Sequence, residues 1–481
     1  MSGTPPGSAM DINEVFRGGA RSVEFLDEIN KASVVMLDKT RILPPALAQK
    51  IARGIAAVIA QRVNSAQRSA DYLDYEPRLL AAAGPDASRL HTGRSRQDIA
   101  STIARMNLRD GLTQEIEALI VARERLLAVA ERHQETIIPA YTHGVQAQPT
   151  TFAHYLLALA AMLARQTGRL FEAYRRVNQN PLGAAALATS SFPLDRQHLS
   201  VLLGFKGLVE NAYDANHLAP VDSALEVAGA LSIAAVQLGQ FAQDIHAQYA
   251  EAVPWFVLAA GELTGVSSIM PQKRNPAALE QLRAQASLMV ADMQGVMLLA
   301  HNTRIGMFDY RMYDPVPCAR PLQVFKLFQQ IVDGIVVNKE RALAEVRADY
   351  STTTEIADAL LQRGDVPFRV GHHFASQLTD YGRGKGLKLH EIPYAEAARI
   401  YTADTNTPLP LSAADFAEII SAEYMVYGRK GLGGPQLSEV GRMLVVERDK
   451  AAADRTNLQD GNDHLARARA ALDQAFTALT Q

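Results

Sequence analysis

Hydrophobic positions along this chain are spaced for helices. Between residues 221 and 253 (VDSALEVAGALSIAAVQLGQFAQDIHAQYAEAV) apolar side chains occupy most of a helical circumference, and such a helix would span roughly 45–50 Å. A helix that is apolar nearly all round belongs in the centre of a bundle or at a subunit contact. Proline rarely sits inside a helix and disfavours helix in the residue before it, and further long proline-free spans run over 86–138, 150–180, 277–314 and 322–366. Residues 11–90 carry shorter amphipathic stretches such as Leu47–Val63, expected to break at Pro44, Pro45, Pro77 and Pro85. After Val366 glycine, proline and polar residues become more frequent, with loop signals around 381–388 and 428–435. No repeat of fixed short period is present. The pattern predicts an all-α protein with three helical regions: a head over 1–105, a central long-helix bundle over 106–350 and a tail over 351–481. Several such apolar helices side by side would expose too much apolar surface in one copy, so the bundle is expected to be completed by oligomerisation.

Composition supports the helical reading. Alanine is abundant and aromatic residues are only 6%, whereas sheet proteins lean on β-branched and aromatic side chains. Lys and Arg number 48 against 51 Asp and Glu, a net charge of −3, which argues against a polycationic nucleic-acid or membrane-surface binder. One cysteine, Cys318, excludes a disulfide framework and a multi-cysteine zinc site, and points to a cytosolic protein. No run of about 18 uncharged apolar residues predicts a membrane span. Met1–Met10 has neither the basic flank nor the apolar stretch of a signal peptide and is expected to be a flexible lead-in. Adjacent His372 and His373 point about 100° apart on a helix, unlike a metal-binding i, i+4 pair. Gly382–Gly386 does not match a phosphate-binding loop.

Three polar, Gly/Pro-punctuated segments interrupt the helical pattern: His91–Asp98 (HTGRSRQD), Tyr141–Pro149 (YTHGVQAQP) and Gly265–Pro276 (GVSSIMPQKRNP). The last resembles the signature loop of the fumarase/aspartase superfamily, whose members eliminate fumarate from succinyl-containing substrates. The first two narrow the resemblance to the argininosuccinate lyase branch. So do PLGAAALATSSFPLDR at Pro181–Arg196, LLGF at Leu202–Phe205 and VPFRVGHH at Val366–His373.

The resemblance implies a C–N lyase that needs no cofactor and no metal, built as a homotetramer with each active site drawn from three subunits. β-Elimination requires a base for a weakly acidic Cβ proton, stabilisation of the resulting dianion and an acid for the leaving nitrogen. By resemblance Ser267 is the base, on a loop that closes over substrate. Lys273, Asn275 and Ser268 hold the substrate carboxylate. Thr142 and His143 form the family's Thr-His pair, with Gln148 beside them, and Glu280 is the carboxylate that orients the histidine. Ser95, Arg96 and Gln97 bind a second carboxylate.

Elsewhere the sequence departs from that branch. Gln97 stands where Asn is usual. His217-Leu218-Ala219-Pro220 replaces a Ser-Asp-Arg-Asp run, and Ser69-Ala70-Asp71-Tyr72 replaces a Glu-Asp-Ile-His box. The segment His301–Asp309 lacks the Tyr, Gln and Lys that hold the arginine half of the family's substrate, and Val266 is an extra residue in the signature loop. Arg304 and Arg311 bring cations to the altered segment, and arginine suits bidentate carboxylate recognition. The expected leaving amine therefore carries an extra carboxylate, as in an aminopolycarboxylate. Two other readings stay open: an ordinary argininosuccinate lyase of arginine biosynthesis, and a catalytically silent structural homologue like the family's lens crystallins.

Overall fold

The computed structural model describes residues 20–61, 68–307, 309 and 319–481. The expectations for Met1–Met10, Arg311 and Cys318 lie outside the described residues. In the head, α1 (Ala20–Lys39), α2 (Pro45–Ala60) and α3 (Tyr72–Ala83) close around Phe25, Leu26, Ile51, Tyr72 and Leu90. Pro77 does not break α3 as expected. It stands near the helix start, and the bond it forgoes is to the carbonyl of Leu73, a residue 56% exposed and open to water.

The central bundle begins with α4 (Arg96–Arg132) and turns through a hairpin of β1 (Ile137–Thr142) and β2 (Val145–Thr151) into α5 (Phe152–Val177). The short α6 (Ala212–His217) leads into α7 (Ala219–Ala247), then β3 (Phe256–Leu258) and the paired β4 (Gly265–Val266) and β5 (Arg274–Asn275). Helix α8 (Ala277–Ala300) packs back along α7, and α9 (Ala319–Asp333), β6 (Ile335–Val337) and α10 (Lys339–Ala348) complete the layer. Leu112, Leu126, Phe152, Leu231, Phe241, Leu282 and Phe328 share one core across these helices. The proline-free spans 277–314 and 322–366 are therefore not single helices. Asn302 and Gly306 adopt positive φ after α8, and β6 pairs with β3 between α9 and α10.

The tail holds its own core of Ile356, Phe374, Leu378, Tyr401 and Phe416. It includes α11 (Thr354–Gly364), α12 (Phe368–Lys385), α13 (Tyr394–Thr405) and α14 (Ala422–Tyr427). Of the two expected boundaries, 350/351 falls in the turn that joins α10 to α11, whereas 105/106 does not fall at a break. Residue 105 lies inside the unbroken α4, and the final α15 (Leu437–Thr480) leaves the tail to run along the bundle. Its Val440, Leu444 and Leu458 join the central core, while Leu472 and Phe476 join the head. Fully buried Arg123 pairs with Asp454 of that helix, and Arg455 reaches Glu124 through two 2.8 Å bonds.

Helix Ala219–Ala250, which contains α7, is the one stretch among the described residues long and apolar enough to cross a membrane, with a mean hydropathy of 1.4 over its best window. Half of that window is buried inside the bundle. On the outer side Ile233 and Val236 of α7, with Leu288 and Leu298 of α8, leave an apolar stripe exposed.

Candidate active site

The first loop is held by a helix start. Ser95 caps α4: its Oγ accepts the amide of Gln97 at 3.1 Å, while Asp98 accepts the Ser95 amide at 2.6 Å, a reciprocal capping box. Asp98 is fully buried and also accepts the amide of Gly183 at 3.0 Å, and burial pushes its pKa up. The Arg96 guanidinium makes a two-pronged contact with Asp71, the N-cap of α3, which ties the loop to the head. Gln97 donates its Nε2 to the carbonyl of Asn216 at 3.5 Å, and the Asn216 amide donates to the carbonyl of Ala186 at 2.7 Å.

Thr142 and His143 sit at the tip of the β1–β2 hairpin. Thr142 pairs with Val145, and His143 and Gly144 both take positive φ, at 56° and 76°, the signature of a type I′ turn. Histidine is one of the few side chains that enter this region readily, and here the turn projects the imidazole from the tip, exposed. A bulge at Ala140/Tyr141 lets Gln148 pair with Ala140. Next to the turn, Tyr141 lies against Trp255 and Gln248, and burial pushes its pKa up.

The signature loop is a small hairpin. Gly265 pairs with Asn275 and Val266 with Arg274, so the extra Val266 extends the ladder and leaves residues 267–273 as the loop proper. Arg274 donates to the carbonyls of Pro271 at 2.8 Å and Lys273 at 3.0 Å, pinning its far side. The Met270 amide donates to Ser267 Oγ at 3.1 Å. An amide aimed at that oxygen favours its deprotonated form, as a base requires. Ser268 and Lys273 are exposed. Glu280, on the first turn of α8, lines an open groove of about 600 Å³ between α7 and α8 with Gln243, Arg283 and Ser287. Arg283 is anchored there by Gln243 Oε1 at 2.9 Å and His246 Nδ1 at 2.6 Å.

These groups do not meet within one copy. The 37 residues of α4 place Ser95–Gln97 roughly 55 Å from the His143 hairpin. The 24 residues of α8 place Ser267 and Glu280 at one end and the 301–307 loop, which carries Arg304, roughly 36 Å away at the other. That far end touches the first loop: Gly306 faces His217, the neighbour of the Asn216 to which Gln97 bonds. Among the described residues no hydrogen bond joins Glu280 to His143. The sequence marks Asp71 and Gly306 only as parts of segments that depart from the family pattern, and gives Asn216 no role. Only the Ser-x-x-Asp spacing of the capping box gave a local signal, since the other contacts join residues distant in sequence. Among the described residues no cluster of three His, Cys, Asp or Glu side chains is placed to hold a metal ion.

Comparison with known proteins agrees with the motif reading. The lyase family matches over residues 48–290 and the argininosuccinate lyase C-terminal family over 350–427. The chain is 32% identical to argininosuccinate lyase 2 of Agrobacterium fabrum, covering 95% of this chain and 92% of that one. It is 31% identical to argininosuccinate lyase of Chromobacterium violaceum, over 89% and 93% of the two chains. A solved structure of an EDDS lyase variant with bound fumarate superposes with a TM-score of 0.88 at 29% identity, covering 99% of this chain and 97% of that one. A class II fumarase from Schistosoma mansoni, 16% identical with TM-score 0.67 over 88% and 94% of the two chains, shares the fold.

Proposed function

Because the chain belongs to the argininosuccinate lyase branch of the fumarase/aspartase superfamily and is a fumarate-releasing C–N lyase, we propose that it cleaves an N-substituted aspartate whose leaving amine carries a further carboxylate. The observation that carries this reading is the pairing of an equipped elimination loop with an altered distal loop. Ser267 receives the Met270 amide on the first, and exposed Arg304 stands on the second.

In this mechanism Ser267 removes the Cβ proton. Lys273, Asn275 and Ser268 then stabilise the dianion through one positive charge and short neutral donors, a stronger interaction once the closed loop excludes water. Ser95 and Gln97 hold the second carboxylate at the start of α4, where the helix dipole favours negative charge. His143 delivers a proton to the departing amine, with Thr142 and Gln148 beside it and Glu280 fixing its tautomer. The separation of these groups within one copy supports sites that combine residues of more than one subunit, and the proposed assembly is the cytosolic homotetramer, with three subunits at each site, that the family resemblance implies. The apolar stripe on α7 and α8 is the contact between copies, and the groove at Glu280 receives the His143 hairpin of another copy.

A fumarate-release assay tests the substrate: brisk turnover of argininosuccinate with none of N-(carboxyalkyl)aspartates defeats the proposal. Ser267→Ala is expected to lower turnover by about a thousandfold or more while the assembly persists on size exclusion. Unchanged turnover would remove Ser267 from the role of base.

A further inference from the structure

Three of the positions at which this chain leaves the argininosuccinate lyase pattern are distant in sequence and adjacent in space. Gln97, on the first turn of α4, donates to the carbonyl of Asn216. The following residue, His217, opens the run that replaces Ser-Asp-Arg-Asp. Its new sequence ends one helix and begins the next: Asn211 caps α6, and Pro220 stands in the first turn of α7. The His217 ring rests on Tyr213, with centroids 4.9 Å apart. On its other side it faces Gly306 of the third departure, where a Cβ would stand 3.8 Å from Nδ1 and 3.9 Å from Cε1. Gly306 holds φ at +91°, a conformation that side chains rarely adopt, and the Met307 amide closes a turn onto the Arg304 carbonyl at 3.1 Å.

We infer that Gln97, Asn216 and His217 form a single specificity unit that sets the 301–307 loop, and that this loop selects leaving amines ending in a carboxylate on an aliphatic chain. The inference rests on the lyase reading above and adds the residues that make the choice. Arg304 pairs with the distal carboxylate. Ile305 and Met307, 54% and 50% exposed, and Tyr213, 42% exposed, offer apolar walls to the methylenes between nitrogen and carboxylate. A guanidinium in that place meets the like charge of Arg304 and is rejected. His217 is a positioning residue, acting through the backbone at Gly306.

The test uses the full-length enzyme, fumarate release and two substrates of equal length, an N-(carboxyalkyl)aspartate and an N-alkylaspartate ending in methyl. His217→Ala and Gly306→Val are each expected to raise KM for the carboxylate substrate by about tenfold with kcat within about threefold, and to leave KM for the methyl-ended substrate within about twofold. His217→Gln, which still fills the space beside Gly306, is expected to recover most of the loss. Equal changes on both substrates, or none on either, overturn the inference and leave the lyase reading standing. Wild-type enzyme that turns over argininosuccinate but not the carboxylate substrate overturns the proposed substrate and the inference with it.

Discussion

Glu115 carries both carboxylate oxygens into the interior beside α4 with no hydrogen-bond partner among the described residues, and burial pushes its pKa up to about 8. In the unfolded chain the same group ionises near 4.5. The sign follows from that difference. Its contribution to stability is fully present below about pH 4.5 and is lost as pH rises toward 8, because folding must keep bound a proton that the unfolded chain releases. Glu115→Gln removes this dependence. The variant is expected to gain on the wild type by on the order of a few kcal/mol between pH 5 and pH 8. Urea midpoints at the two pH values measure it, and an equal offset at both would exclude the effect. Such a residue was not legible in advance, since a glutamate in a helical pattern reads as solvated until its neighbours are placed. Ser95 and Asp98 were legible as a motif, but Asp71, the carboxylate that pairs with Arg96, lies 25 positions away.

The β1–β2 hairpin shows how one element is aimed by others. Gln146 Nε2 donates to Ser351 Oγ at 3.0 Å and to the Val346 carbonyl at 3.3 Å, tying β2 to the segment that joins α10 and α11. His154, just beyond β2, bridges Thr150 Oγ1 at 2.8 Å and the Gly433 carbonyl at 2.9 Å. The tip of the hairpin thus takes its position from the tail and from the loop before α15. Gln146→Leu removes one tether without altering the Thr142–His143 turn. Its expected cost is about 1–2 kcal/mol of local order, read as a roughly tenfold fall in kcat with KM little changed. A variant with wild-type kcat would assign the aim of the hairpin to the His154 tether instead. Proline spacing and apolar periodicity made α4, α5, α7 and α8 legible, because those helices bury broad faces. The breaks after Ala300 and around β6 were not legible, because they depend on positive φ and on pairing with β3, neither of which periodicity records.

At the scale of the molecule, the lengths of α4 and α8 decide how many copies a site needs. Gln97 at the start of α4 belongs to the same end of the bundle as Gly306, while Ser267 stands at the opposite end of α8. A substrate only a few ångströms long cannot touch both within one copy, so the proposed mechanism requires the first loop from one chain and the signature loop from another. Two inactive variants then carry complementary lesions. Gln97→Glu places a negative charge where a carboxylate must bind, and Ser267→Ala removes the base. Neither alone is expected to release fumarate at a useful rate, and both lesions lie away from the apolar stripe proposed to join the copies. When the two are unfolded together and refolded as an equal mixture, a site needs its first loop from the Ser267→Ala chain and its signature loop from the Gln97→Glu chain. Random assembly meets that condition in about a quarter of sites, so activity should return to about a quarter of the wild-type level. Substituting Ile233→Lys on the stripe of both chains is expected to block the return, because a charge in that contact must be desolvated. Mixed refolding that restores no activity, with tetramers present on size exclusion, would mean that both loops serve one site from one chain. The length of α8 would then have to be spanned by some other path.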